Sequence, residues 1–541
     1  MRQANQPKSI GMGIRFLSAV LGLVLVLTFC GCEPSDISSK PNQEEKLPVS
    51  SNGSVANDAS EEIVIDKIAG EITVTGSIQS AKKAEKSTQL QTANPGASIK
   101  GYAENEAKTL RQEILNTPNT ASIYNITGTK YYISPNGDDK NSGLSEKDAF
   151  ATIDALEMID IQKGDAILFE RGYVYRFGRT ISVKSGITYG SYGTGNKPAI
   201  YGSPINGINC NWTPTKKKNV WQTDFSYERA CGLFLNYGEV AGILKNTGIG
   251  ALEKNGDFYH DYTNGLFYMY CDIGNPAKIY KSIEITPSFS IFRLSSVNDV
   301  IIDNLSIKYG SYGVSAGKIN NVHVTNCEFG YIGGMVGADV RRGNAIEIFP
   351  GPIDNIYFDH NWIYQTFDSA VTWQGNAGED CQYKNISFSK NLLEYNNADF
   401  EFWESDGAII DGFVMNNNIL RFTSMGWGTR PEDGGIREIE GCFKGDVTNL
   451  KLVDSIDIKN NIIDCPAREI VSLRAKVEQR HLFKVSGNKV FVKASYRSTD
   501  DIVEFFPDKV AISDILKAKN LKELKFAFER FDQTAELNWY E

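Results

Sequence analysis

Seven segments of this chain repeat one short pattern, Φ-x-Φ-x-x-x-x-Φ, in which Φ is apolar and the gap is polar, with Asn common. They begin at Val300, Val322, Ile356, Ile386, Phe413, Ile456 and Phe483, with start-to-start gaps of 22, 34, 30, 27, 43 and 27 residues. The Φ-x-Φ half has a period of two and predicts a strand with one buried face. Asn in the gap predicts a bend, because Asn tolerates left-handed dihedrals and bonds its own backbone. The last Φ returns to the core on the next face.

A second column of alternating strands lies between these segments, at 344–349, 369–374, 399–404, 469–474 and 501–506. Two columns recurring once per roughly 30 residues describe a coil that climbs about 4.8 Å per turn. That is a parallel β-solenoid. A propeller would need four strands and tight hairpin signals in each blade of ~40–50 residues. Length, on a prior of roughly 150 residues per domain, suggests several domains. The repeat replaces that prior with one elongated coil.

The chain outside the repeat is organised differently. Arg2, Lys8 and Arg15 precede a 14-residue apolar run, Phe16 to Phe29, then Cys30, Gly31 and Cys32. The run is too short to span a bilayer and has the charged lead of a secretory signal. A small residue before a Cys resembles a bacterial lipobox, so Cys32 is the expected lipidation site. Residues 1–31 read as the lipoprotein signal and 32–100 as a disordered tether. No Phe, Trp or Tyr occurs between Phe29 and Tyr102, so the tether cannot bury enough surface to offset its chain entropy. A short strand within Ile63–Val74 is the one exception. Residues 101–126 hold an expected cap helix, with Ala103, Ala107, Leu110 and Ile114 on one face.

Residues 127–204 read as the first coils, 205–285 as a β-rich insert, 286–507 as the main coil and 508–541 as a helical C-terminal cap. The insert contains DFYHDYTNGLFYMY, whose Thr-Asn-Gly turn between alternating aromatics predicts a hairpin. Its aromatics are expected mainly to pack on one another, with a carbohydrate-binding surface as the rival reading. The C-terminal cap would rest Ile515, Leu516, Leu521 and Leu524 on the last open coil after a Ser513–Asp514 start.

The openings YYISPNGDDKNSG, AFATIDALEMIDIQKGDAILFERGYVYR and SGITYGSYGTGNKPAIYGS resemble the first coils of the pectin-lyase-like superfamily of right-handed parallel β-helix proteins. GDFYHDYTNGLFYMYCDIGNPAKIYKSIE resembles an insert that some members carry. The resemblance covers about residues 128–507. It implies an all-β right-handed parallel β-helix, and an extracellular bacterial protein acting on polysaccharide. The chemistry stays open, because the superfamily includes lyases, hydrolases, epimerases and non-catalytic proteins.

Charge narrows the partners. Lys and Arg total 56 against 66 Asp and Glu, a formal net charge of −10. A nucleic-acid binder would need a basic face. An acidic polysaccharide is compatible, because a local basic cluster can sit on an acidic body. The expected partners are therefore a polysaccharide and a membrane, the latter reached only through the lipid anchor. A monomer is expected. Seven scattered Cys remain after Cys32, an odd set that reads as buried thiols.

Aligning Ile346, Val371 and Phe400 inward puts Glu347, Thr372 and Glu401 outward on successive coils. Glu347 and Glu401, two coils apart, have backbones roughly 10 Å from each other. Their carboxyls could then enter the ~6.5–9.5 Å window of an inverting glycosidase pair. Asp368, at the entry to the middle strand, could pair with either Glu. A solvated β face is the rival account. Arg341, Arg342, Trp403, Glu404 and Trp427 are the candidate substrate contacts, since aromatic faces stack on sugar rings and charged groups bond hydroxyls and carboxylates. Trp373, at an inward register, reads as core. The loop MGWGTRPEDGG interrupts the repeat and adds Arg430 to the candidate catalytic set with Glu347, Asp368 and Glu401.

The resemblance implies that a lyase would neutralise a uronate with Arg or Lys and calcium, from Arg341, Arg342, Arg430 and Lys444, with Glu347, Asp368 and Glu401 as calcium ligands; a hydrolase needs only the carboxylate pair. His360 reads as a bend residue. Calcium is the one candidate cofactor, with the loop from Asn136 to Gly143 as its best site by composition and Asx turns as the alternative. The leading expectation is a membrane-tethered, extracytoplasmic β-helix protein that binds and cleaves a polysaccharide. The alternative is a non-catalytic glycan-binding or surface-scaffold lipoprotein.

Overall fold

The computed structural model describes residues 84–96, 99–335, 341–349, 351–374, 381–403, 407–429, 441–505 and 516–541, and the short strands Lys67–Ile68 and Glu71–Ile72. The leader, Cys32, Glu404 and Arg430 lie outside the described residues. Two units are distinguished, Met1–Ser80 and Ala81–Glu541. The first contributes the antiparallel pair Lys67–Ile68 with Glu71–Ile72, within the segment where a short strand was expected.

The second unit is a parallel β-helix of three sheets. Each full coil passes through sheet 1, then sheet 2, then sheet 3, as in Tyr312–Gly317, Ile319–Thr325 and Glu328–Ile332. The sheets hold 10, 11 and 10 described strands, and each strand in the body pairs with its equivalent one coil away. The coil is right-handed, as crossovers between parallel strands favour. The two expected columns are sheets 1 and 2. The third sheet begins one residue before the closing Φ of the repeat, as in Trp362–Thr366 and Leu392–Glu394, which are buried throughout and show no alternation. Gly441–Asp446 was also missed in sheet 1, because its two glycines obscure the alternation.

The bend between sheets 2 and 3 uses two residues per coil. The first is left-handed, with φ 54° at Asn326, 57° at His360 and Lys390, 59° at Asn417, 56° at Asn460 and 69° at Gly487. His360 is therefore a bend residue. The second position carries Asn361, Asn391, Asn418, Asn461 and Asn488, all fully buried. Each of these side chains accepts the backbone N–H of the equivalent residue one coil earlier at 2.9 Å, starting from Cys327 and running to Asn461. Their amides donate to strand carbonyls, as Asn418 does to Phe388 at 2.9 Å. Asp532 closes the ladder by accepting the N–H of Asn488 at 3.0 Å. Local turn chemistry is thereby locked by contacts between coils.

Apolar side chains fill the interior, with Trp373 stacked among Phe388, Phe402 and Phe413 at centroid distances of 5.1, 4.9 and 4.6 Å. Trp373 is core, as its register required. The interior also holds Asp399, fully buried and bonded by Thr423 and Asn396. Burial pushes its carboxyl up to about 7. A raised carboxyl adds stability that is complete below pH ~4 and is lost as pH rises through 7, on the order of 4 kcal/mol at most. Asp399→Asn is expected to remove that loss. Urea midpoints at pH 5 and pH 8 should lie closer together than in the wild type, and an unchanged gap would refute the assignment.

Both ends are closed. Phe150 and Leu156 from the 3-10 region Ile153–Met158 and its approach cover the first coils. At the other end Leu524, Ala527 and Phe528 of the helix Leu521–Phe528 join the core. That helix starts at Asn520, whose side chain accepts from Glu523 N, later than the expected start; Ser513–Asp514 lie outside the described residues. Leu516–Lys517 instead forms a short antiparallel strand on the last sheet 1 strand, which covers its edge.

The expected N-terminal helix spans Glu104–Leu115 and lies along the outer face of sheet 3. Arg111 pairs with Glu394 at 2.6 Å, and Arg421 joins Glu394 at 2.7 Å and Asp464 at 2.9 Å. Asp464 also accepts the backbone N–H of Tyr102 and Ala103 just before that helix. These buried charges are mutually paired, so the outer face of sheet 3 is committed to packing.

The insert forms a five-stranded and a three-stranded sheet. Its hairpin pairs Asp257–Asp261 with Leu266–Tyr270, as the turn signal predicted. Trp212, Phe258 and Phe267 are buried in the insert's own core. All seven described cysteines are free thiols. In the loop Asn136–Gly143, Asp138 accepts the N–H of Lys140, and Asp139 accepts both the N–H and the hydroxyl of Thr152. Those carboxylates already serve Asx turns and closure of the loop, so the loop does not fit a calcium site. Among the described residues no group of three or more His, Cys, Asp or Glu side chains is arranged to hold a metal ion.

Candidate functional site

Sheet 1 presents one continuous row of outward positions. Arg293 is opposite Ser315, Ser315 opposite Glu347, Glu347 opposite Thr372, Thr372 opposite Glu401, and Glu401 opposite Lys444. The inward neighbours Ile346, Val371, Phe400 and Phe443 are buried in the interior. Strand alternation thus sets the row, and stacking of coils aligns it.

A groove of about 450 Å³ opens over the N-terminal half of this row, with Arg293, Tyr312, Arg342, Glu347, Phe349 and Gln374 among its walls. Glu347 is half-buried. Burial is the main cause that pushes its carboxyl up to about 7; Asp368 and Glu401 add to the rise, while a hydrogen bond from Asn344 and the charge of Arg342 oppose it. The three expected carboxylates are therefore electrostatic neighbours.

They are not equally open. Asp368 is 5% exposed at the entry to the strand Ser369–Gln374. Glu401 is 1% exposed, accepts from Ser369 Oγ at 2.6 Å and pairs with Lys444 Nζ at 3.0 Å. The expectation that Glu401 faces an open groove is corrected: a carboxylate buried at this depth needs a cation, and Lys444 on the next strand supplies it. The same pairing engages Lys444, which was expected to face a substrate uronate.

Trp427 is also corrected. It is 8% exposed, with its ring 4.7 Å from Phe234 of the insert and 4.5 Å from Phe367, and its indole N–H donates to Gln365 O at 2.8 Å. It is a packing residue. Trp427→Ala is expected to cost about 3 kcal/mol of stability in chemical denaturation and to leave glycan affinity unchanged.

Arg342 is half-buried and lines the groove, and Arg341–Arg342 pairs antiparallel with Gly334–Met335. The backbone of Trp403 is in register with Gln374 and Asp446, two residues beyond Glu401. The side chains of Arg341 and Trp403, like Glu404 and Arg430, lie outside the described residues. Sequence reasoning missed Arg293, Tyr312 and Phe349. Arg293 had a usable signal, since SIFRLS alternates and sets it outward between Phe292 and Leu294.

Fold and site together define a parallel β-helix protein with a charged groove on one sheet. No family model and no curated protein matches the chain. Solved structures it resembles include the GH136 lacto-N-biosidase from Eubacterium ramulus, at TM-score 0.38 and 15% identity over 76% of this chain and 68% of that one. The alginate lyase from Paenibacillus sp. str. FPU-7 overlays at TM-score 0.37 and 11% identity over 76% and 99%. PfbA, a surface adhesin of Streptococcus pneumoniae, overlays at TM-score 0.31 and 14% identity over 63% and 73%.

Proposed function

We propose that this is an extracytoplasmic protein, lipid-anchored through Cys32, that binds a polysaccharide along sheet 1 and cleaves it. The observation that carries the reading is Glu347: a half-buried carboxyl pushed up to about 7 by burial, in a groove of about 450 Å³ that also holds Arg293 and Arg342. A group with that affinity for protons can hold a proton and release it near neutral pH, as general acid or base. Asp368 raises the proton affinity of Glu347 and is the candidate second carboxylate. Arg342 offers positive charge to a uronate or to a developing oxyanion. Arg341, Trp403, Glu404 and Arg430 complete the proposed contact set.

One observation favours a second reading. Glu401 is engaged by Lys444 and Ser369, which leaves Glu347 as the carboxylate lining the groove. A non-catalytic glycan-binding lipoprotein needs no more than that.

Incubation with a panel of uronic-acid and neutral glycans decides between them. Unsaturated ends that absorb in the ultraviolet identify a lyase, and new reducing ends without that absorbance identify a hydrolase. Binding with neither product overturns the enzymatic reading. Growth with labelled lipid, wild type beside Cys32→Ser, tests the anchor; equal labelling of the two would refute it.

A further inference from the structure

We propose that Arg293 is a specificity residue that reads an anionic substituent of the glycan, a carboxylate or a sulfate, about two sugar units from Glu347. This rests on the glycan-groove reading above. Arg293 and Glu347 share one outward row with only Ser315 between them, so two strand spacings, roughly 10 Å, separate their backbones. A pyranose in an extended chain advances by about one strand spacing. A glycan running along the row would therefore set a substituent at Arg293 when a residue two units away meets Glu347.

The side chain of Arg293 is exposed between inward Phe292 and Leu294, and it has no ion pair or hydrogen bond among the described residues. It shares the groove with the neutral Ser288, Ser290, Ser315 and Tyr312 and with the cationic Arg342, and Glu347 is the one carboxylate among the described lining residues. On the outward row Glu347 is two strands from Arg293 and Glu401 four. The groove is thus cationic at one end and acidic at the other. On a chain of net charge −10, a polyanion approaches only where local cations overcome the body's field. Arg suits this role better than Lys, because its planar fork meets a carboxylate or sulfate in a bidentate way. Phe349, 46% exposed on the same groove, offers an apolar edge to a sugar ring.

The test is calorimetric titration with three oligosaccharides of equal length: an oligouronate, a sulfated oligosaccharide and a neutral one. For the wild type, an anionic ligand should bind more tightly than the neutral one, and the two anionic arms identify the substituent. In Arg293→Gln, the ratio of anionic to neutral affinity should fall about tenfold, the worth of one charge-assisted contact. Arg293→Lys should recover part of it. Because Arg293 is exposed, an unchanged thermal midpoint is expected. A wild type that binds glycans while Arg293→Gln leaves the ratio unchanged overturns the role of Arg293 alone. Preference for the neutral ligand overturns it too. A wild type that binds no member of the panel overturns the groove reading and this inference with it.

Discussion

Glu347→Gln should lower glycan cleavage by roughly 10²- to 10⁴-fold, the usual contribution of a positioned acid or base. Gln keeps the shape and the hydrogen-bonding reach of Glu and cannot exchange a proton in this pH range. The wild-type rate should show an inflection near pH 7, where the Glu347 carboxyl titrates, and the residual rate of the variant should lack it. Stability should move the other way. The folded protein raises this carboxyl above its ordinary value, so its contribution is complete below pH ~4.5 and is lost as pH rises through 7. At pH 8 the variant should melt at the same temperature as the wild type or slightly higher. A loss of activity at undiminished stability separates a chemical role from a structural one. Full activity in Glu347→Gln would sink the catalytic assignment.

The largest effect on stability is expected at the centre of the asparagine ladder. Asn418→Ala removes the acceptor of the Asn391 N–H at 2.9 Å and the donor to Phe388 O at 2.9 Å. It also deletes the 3.0 Å contact from its amide to Asn461. Two buried groups, the Asn391 N–H and Phe388 O, lose that partner, while Asn461 Oδ1 keeps the backbone N–H of Asn418 at 2.9 Å; each group left unsatisfied costs about 1–3 kcal/mol. A total of about 3–5 kcal/mol is expected, given that such losses are not additive. Cys327→Ala, at the ladder's first rung, deletes one small side chain and should cost about 1 kcal/mol. Urea unfolding of the two variants beside the wild type checks the order. Equal costs at the two positions would mean that the ladder does not couple successive coils.

The parallel coil was legible because its signal is local and repeats. Each Φ-x-Φ strand and its bend fit within a few residues, and period two assigned Glu347 and Trp373 to opposite faces. The helix Glu104–Leu115 and the hairpin at 257–270 were legible for the same reason. The asparagine ladder was half-read: Asn marked the bend, but its side chain satisfies a neighbouring coil, and the left-handed residue is the one before it. The third sheet was missed because its strands run only three to five residues and several are buried on both faces, so they show no alternation.

The candidate site shows the same division more sharply. The sequence by itself determined which residues point outward on sheet 1, since alternation follows from backbone geometry whatever the environment. Only the tertiary structure decided which outward residues remain open. Glu401 is closed off by Lys444 one coil later, and Trp427 by Phe234 from the insert. Glu347 stays in a groove that it shares with Arg293 and Arg342. Burial and charge pairing depend on what adjacent coils and packed inserts bring alongside, and those partners are near in space while remote along the chain.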